Sequence, residues 1–207
     1  MVGAEEEVFY VHKTMLERHS DFFVKALQKE WVEGSDKCVK LPEDDPALFK
    51  LFVAFVYTGK IYFQHQPESQ PEDTCEEWHI CARAWVLGDK YQATSFKDAI
   101  VDALLEKIEA EDKVPIGMHR VIYANTATAS PMRKILVDIA VYEWHDGRVE
   151  DLTRSEAWND FFTDLAVKLH SLRHAALGTA PYKSGSGCLY HEHEAAGKPC
   201  YKKMFEY

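Results

Sequence analysis

The sequence lacks an excess of positive charge, which restricts the classes of partner the protein can have. Acidic residues outnumber lysine and arginine 34 to 24, giving a formal net charge of −10 over 207 residues. Binding to nucleic acid or to an anionic membrane requires clustered basic side chains. The one short basic cluster consists of Lys198, Lys202 and Lys203. We therefore expect neither a nucleic-acid partner nor a membrane partner.

Long apolar segments are also absent. The longest apolar run, residues 48–57, contains Lys50 and is about half the length that a transmembrane helix needs. Three consecutive glutamates at 5–7 stand where a signal peptide would be apolar. Five cysteines, an odd number, are scattered along the chain. These features predict an intracellular protein, in the nucleus or cytoplasm, with reduced thiols.

Recognisable catalytic motifs are missing. The sequence has no G-x-S-x-G nucleophile elbow, no Walker phosphate loop, no dinucleotide-binding glycine fingerprint and no H-E-x-x-H zinc motif. His12 has no nucleophile or carboxylate at a spacing that indicates catalysis, which favours a structural role. We expect that the protein is not an enzyme.

Three short β-prone runs alternate with helical segments in the first part of the chain. The runs are residues 8–11, 38–41 and 61–63. A single helix is expected after the first run. A second helix should start with Asp45 as N-cap and Pro46 at the first helical position, and should end at Gly59. The alternation predicts an α+β fold, in which a small sheet is flanked by helices.

The second part of the chain is predicted to be entirely helical. Helices are expected at residues 75–87, 91–108 and 115–126, and beyond Ser130 and Ser155. A charged linker at 109–115 is the candidate domain boundary. From Gly178 the helical periodicity is lost. We therefore divide the chain into an α+β domain at 1–110, a helical extension at 111–177 and a tail at 178–207.

The tail contains a spaced set of metal-ligating side chains, C-x2-H-x-H-x6-C. Its members are Cys188, His191, His193 and Cys200. Two thiolates and two imidazoles make a full tetrahedral zinc set, which is closed to water and therefore structural. A zinc-dependent enzyme would need an open coordination position and is the less favoured alternative. The other open interpretation is a flexible tail that is rich in histidine by chance.

Four motifs in the first 108 residues resemble those of BTB/POZ domains. VFYVHK at 8–13 followed by SDFF at 20–23 is similar to the F-x-V-H-K…S-x-F-F opening of that family. VKLPEDDP at 39–46 resembles the V-x-L-P-E-D-D-P element of fungal members. FVYTGKI at 55–61 resembles the Y-T-G-x-I stretch, and VLGDKY at 86–91 is similar to the L-A-D-K-Y junction. The resemblance implies a fungal-type BTB/POZ fold with a helical C-terminal extension.

The family resemblance implies a protein–protein interaction module, and it leaves two roles open. One is a substrate adaptor for a cullin-based ubiquitin ligase, and the other is a self-associating scaffold or regulatory protein without cullin binding. A homodimer should use apolar surface around Val8, Phe9, Met15 and Leu16. Met1 and Val2 supply only the end of a strand that precedes this region in the family. Either the chain is a shortened gene model or the sheet lacks that strand.

Overall fold

The computed structural model describes residues 1–28, 38–63, 74–111, 113–115, 117–144, 159–173, 178–183 and 188–205. These residues form eight α-helices and two short 3-10 helices. The α-helices are α1 (Lys13–His19), α2 (Asp21–Ala26), α3 (Pro46–Thr58), α4 (Thr74–Lys90), α5 (Thr94–Glu111), α6 (Met118–Asn125), α7 (Pro131–Glu143) and α8 (Asn159–Leu172). The 3-10 helices are Pro181–Lys183 and Tyr201–Met204.

Two compact units divide the chain. Unit 1 comprises Met1–Gln64, Arg83–Ile100 and Glu192–Tyr207. Unit 2 comprises His65–Ala82 and Val101–His191. None of the helices in the described part of the chain combines the length and apolarity needed to cross a lipid bilayer.

The first helical segment is divided at Ser20, so the prediction of a single helix there is wrong. Ser20 has extended dihedrals, φ −148° and ψ 118°, and caps α2 by accepting the Phe23 N–H at 3.2 Å. Its hydroxyl also donates to the carbonyl of Tyr91 at 2.6 Å. The break therefore depends on a residue far away in the sequence, which local periodicity does not reveal.

The limits of α3 confirm the predicted helix signals. The Asp45 carboxylate accepts the Ala47 N–H at 2.8 Å, and Pro46 occupies the first turn. Gly59 ends the helix in the left-handed region at φ 68°, and its N–H donates to the Phe55 carbonyl at 2.8 Å.

Aromatic side chains form the core of unit 1. The ring of Tyr91 lies 5.1 Å from that of Phe23 and 5.4 Å from that of Phe52. Phe52 also packs edge-on against Phe96 at 5.2 Å. All four side chains are buried, and burying a side chain of this size contributes roughly 1.5–3 kcal/mol. The core thus joins α2, α3, the turn at Tyr91 and the first turn of α5.

The predicted small sheet is not confirmed by the described residues, which contain isolated β-bridges and no continuous strand. Val2 bridges Glu7 in the antiparallel sense and Leu41 in the parallel sense. The Leu41 N–H donates to the Met1 carbonyl at 2.8 Å, and the terminal ammonium of Met1 donates to Val39 at 2.8 Å. Residues 8–11 and 61–63 form no strand because no described segment pairs with them.

Unit 2 confirms the helical extension. Helices α6, α7 and α8 pack against one another. The buried ring of Phe161 on α8 lies 5.5 Å from Tyr123 on α6 and 5.6 Å from Trp144 after α7. Helix α5 runs to Glu111 and so extends into the predicted linker at 109–115. The expected start of the last helix near Ser155 lies outside the described residues.

Candidate functional site

The Cys/His set of the tail is gathered at one point. One ligand atom each from Cys188, His191, His193 and Cys200 lies within 4.8 Å of all the others. Zinc bonds of about 2.0–2.3 Å in a tetrahedron place ligand atoms roughly 3.3–3.8 Å apart. Small side-chain adjustments would therefore bring all four ligands to bonding distance, and the group could hold a metal ion.

Local hydrogen bonds of the tail backbone bring these ligands together. The His191 N–H donates to the Cys188 carbonyl at 3.1 Å, which closes a turn between the first two ligands. The Lys198 N–H donates to the His193 carbonyl at 2.8 Å, which turns the chain back before Cys200. Gly197 permits this second turn because its φ is +63°, a value that side-chain-bearing residues rarely adopt.

A buried carboxylate orients the first histidine. The Nε2 atom of His191 lies 3.0 Å from Oδ1 of Asp102, and both residues are buried. Metal-bound histidines usually engage a carboxylate through the ring nitrogen that does not bind the metal. In such an arrangement Nδ1 of His191 would be the coordinating atom. The sequence interpretation missed Asp102, because it lies 89 residues before its partner and no local pattern connects the two.

The next residue along the tail is also held by α5. The Glu192 N–H donates to a carboxylate oxygen of Asp98 at 2.7 Å. Asp98 precedes Asp102 by one helical turn, so the two carboxylates lie on the same face of α5. The Glu192 carboxylate also forms an ion pair with Lys97. The loop that carries the ligands is therefore fixed to defined partners.

The residues predicted to form the dimer interface differ in their solvent exposure. Val8 is 54% exposed, Phe9 and Met15 are half-buried, and Leu16 is only 8% exposed. The Phe9 ring packs edge-on against Phe49 at 4.9 Å. Leu16 consequently offers little surface, whereas Val8 is available to a partner.

Residues 8–11, which we call the open edge because no described segment pairs with them, lie beside an apolar groove. Their side chains alternate between exposed and half-buried, and Tyr10 is 94% exposed. No backbone group of this segment hydrogen-bonds to another described residue. The groove has a volume of about 610 Å³, and its lining includes Val8, Phe9, Val11 and Leu16. Tyr10 was not among the predicted interface residues, although period-two alternation from Val8 points to it.

Two other candidate reactive groups have structural roles. His12 precedes α1 as its N-cap residue, its N–H donates to the Tyr57 hydroxyl at 3.0 Å, and its Nδ1 lies 2.7 Å from the same oxygen. Burial raises the pKa of the Cys81 thiol to about 12, so this cysteine stays protonated at neutral pH. No disulfide forms among the described cysteines, Cys38, Cys81, Cys188 and Cys200.

Comparison with known proteins identifies the family of the chain. The BTB/POZ domain family model matches residues 1–108. TD and POZ domain-containing protein 4 of Mus musculus is 24% identical over 172 residues, which cover 81% of this chain and 41% of that relative. The chain thus spans about two-fifths of the length of that curated relative. No solved structure matches the chain. Because the domain match covers more than half of its residues, this chain belongs to the BTB/POZ family.

Proposed function

We propose that this protein is a protein–protein interaction module that self-associates through the edge at residues 8–11. BTB/POZ domains mediate protein–protein interactions, including self-association, so the family supports this class of function. The observation that carries the proposal is the open edge itself. Its backbone groups are not hydrogen-bonded to any described residue, and Val8 and Tyr10 are exposed beside it.

An open edge of this kind favours pairing with a second chain. Free backbone N–H and C=O groups in a row are a template for another strand, and exposed apolar side chains gain free energy when a partner covers them. A second copy of the same chain carries the same edge. Two such edges can pair in the antiparallel sense around a twofold axis, which closes the assembly as a dimer. We therefore assign the partner of this edge as a second copy.

Hydrogen–deuterium exchange at two protein concentrations tests this pairing directly. The amides of residues 8–11 should be protected when the chain is concentrated and should exchange rapidly on dilution. The amides of α3 should be equally protected at both concentrations and serve as the internal control. Fast exchange of residues 8–11 at every concentration would rule out pairing through the backbone of this edge.

A narrower role is that of a substrate adaptor for a cullin-based ubiquitin ligase. Family membership supports it, since some BTB/POZ proteins bind a cullin scaffold. The segment that follows α3 is accessible, with Lys60 exposed and Tyr62 57% exposed. Affinity purification from cells should recover a cullin with the chain, and charge reversal at Lys60 should remove it. Recovery of self-associated protein alone would favour a scaffold.

We also propose that the tail binds one structural zinc ion. The convergence of two thiols and two imidazoles supports a tetrahedral zinc site rather than a calcium or magnesium site, which would use oxygen ligands. Two thiolates neutralise the charge of Zn²⁺, so a partly buried complex carries no net charge. The Asp102 carboxylate beside His191 supplies the outer hydrogen bond that such sites use.

Metal analysis of the purified full-length chain tests the zinc site. One equivalent of zinc per chain is expected for the wild type, and little for Cys188→Ser or Cys200→Ser. Cys38→Ser is the matched control, because Cys38 lies outside the tail and should leave the zinc content unchanged. Substitution by cobalt should give the absorption of a tetrahedral thiolate complex. A wild-type chain without metal, or equal zinc content in all variants, would contradict the site.

A further inference from the structure

The last metal-ligating residue is joined directly to a docked segment of chain. The 3-10 helix Tyr201–Met204 begins immediately after Cys200, whose carbonyl accepts the Lys203 N–H at 3.0 Å. No flexible spacer separates the ligand from this helix. The position of Cys200 therefore determines where Tyr201–Met204 and the following Phe205 can lie.

This segment covers the aromatic ends of α1 and α3 within unit 1. The Phe205 ring stacks on that of His19, with centroids 5.3 Å apart and planes 11° apart. It also packs edge-on against Phe55 at 5.7 Å. The Arg18 guanidinium donates to the Met204 carbonyl at 2.9 Å. The contacts seal a surface on which His19 and Phe55 are both buried.

Docking of residues 201–205 depends on how firmly the residue before them is held. Ordering a chain end costs conformational entropy for every residue that becomes fixed. The contacts of Phe205, Met204 and Tyr201 must offset that cost, and they do so more readily when the start of the segment is already fixed. A metal ion bound by Cys200 would fix that start, because it would also be bound by the other three side chains of the set.

We infer that the metal ion held by Cys188, His191, His193 and Cys200 acts as a clasp that keeps residues 201–205 on α1 and α3. This inference rests on the zinc site proposed above. Loss of the metal releases the segment and uncovers the apolar surface around His19 and Phe55. Binding of zinc and docking of Phe205 then stabilise each other. The free energy by which zinc favours docking equals the free energy by which docking favours zinc binding.

The pKa of His19 reports whether Phe205 is docked, because the Phe205 ring stacks on the imidazole. Its two ring nitrogens are buried without a hydrogen-bond partner among the described residues. Burial, assisted by the positive charge of Arg18, lowers the pKa of His19 from 6.5 to about 4. When Phe205 leaves, water reaches the ring and the pKa should rise toward 6.5.

The test compares the His19 imidazole in the zinc-loaded and chelated full-length chain by NMR. With zinc, the His19 signals should not move between pH 5.5 and 8. After chelation they should titrate within this range, because the pKa of His19 rises toward 6.5. Phe205→Ala is the positive control for the readout, because it should expose His19 even with zinc bound. If zinc binds but its removal leaves the His19 signals unchanged, the clasp is refuted and the zinc site stands. If no zinc binds, both proposals fail.

Zinc affinity measured by competition with a chelating dye tests the same coupling without removing the metal. Phe205→Ala should weaken zinc binding by about 5-fold or more, since coupled sites usually change each other's affinity by about 5- to 150-fold. Tyr62→Ala is the matched control, since Tyr62 is exposed and lies outside this surface. Equal affinities for the wild type and Phe205→Ala would overturn the clasp.

Discussion

Phe205 occupies the space in which a side chain at Gly59 would lie. A Cβ atom built on Gly59 would be 2.5 Å from Cγ of Phe205. Real Cβ atoms essentially never approach another atom so closely, so the pair is compatible only because residue 59 is glycine. The C-terminal end of α3 and the end of the tail are therefore matched in shape.

We expect Gly59→Ala to destabilise the protein and to displace Phe205. The substitution places a Cβ in the left-handed region, at a cost of about 1 kcal/mol, and adds the collision with Phe205. The change in free energy of unfolding can be measured with urea. Gly59→Ala in a Phe205→Ala background is the matched control, because it places the same Cβ in the same backbone conformation without the Phe205 ring. Equal destabilisation by Gly59→Ala in the two backgrounds would show that the Phe205 contact contributes nothing.

A second prediction concerns the buried hydroxyl of Tyr91. It donates to a carboxylate oxygen of Asp44 at 2.8 Å, and Asp44 is itself only 7% exposed. Tyr91→Phe should keep the aromatic packing but deprive the carboxylate of this bond, which costs about 1–3 kcal/mol. Tyr62→Phe changes an exposed tyrosine and should leave the free energy of unfolding unaltered. The free energy of unfolding of both variants can be measured with urea. Equal values for Tyr91→Phe and Tyr62→Phe would contradict the hydrogen bond from Tyr91 to Asp44.

A third prediction is that stability falls as the pH is lowered below 6.5. Burial lowers the pKa of His19 to about 4 and that of His119 to about 3, and neighbouring positive charge assists in both cases. The unfolded chain therefore binds protons at these positions, from pH 6.5 downward, that the folded chain does not bind. The expected loss for His19 alone is on the order of 1–3 kcal/mol between pH 7 and 4.

Urea midpoints across this pH range measure the effect. His19→Phe retains an aromatic ring against Phe205 and should flatten the pH dependence. His12→Phe is the control, because it removes an exposed histidine instead of a buried one. A wild-type midpoint that stays constant from pH 7 to pH 4.5 would be inconsistent with neutral buried histidines.

Local sequence signals predicted those parts of the fold that depend on neighbouring residues. Asp45 begins α3 because its carboxylate caps the first turn, and Gly59 ends it because glycine readily adopts the left-handed conformation. The spacing also indicated that the four Cys and His side chains of the tail lie close together, because a turn of a few residues is enough to gather them.

Features that depend on distant residues were missed or wrong. The break at Ser20 requires the carbonyl of Tyr91, and the orientation of His191 requires Asp102 on α5. Residues 8–11 have the composition of a strand, but strand formation needs a partner, and no described segment supplies one. β-propensity alone therefore predicted a sheet where only isolated bridges form.

The central claim, self-association through residues 8–11, is tested most directly by light scattering at tens of micromolar. The wild type should have the mass of a dimer, and Val8→Lys and Tyr10→Lys should have the mass of a monomer, because the charge must be buried against the second copy. Val167→Lys should remain dimeric, since it alters a valine that is 66% exposed on α8 of unit 2. A monomeric wild type at this concentration, or dimers in all variants, would contradict the claim.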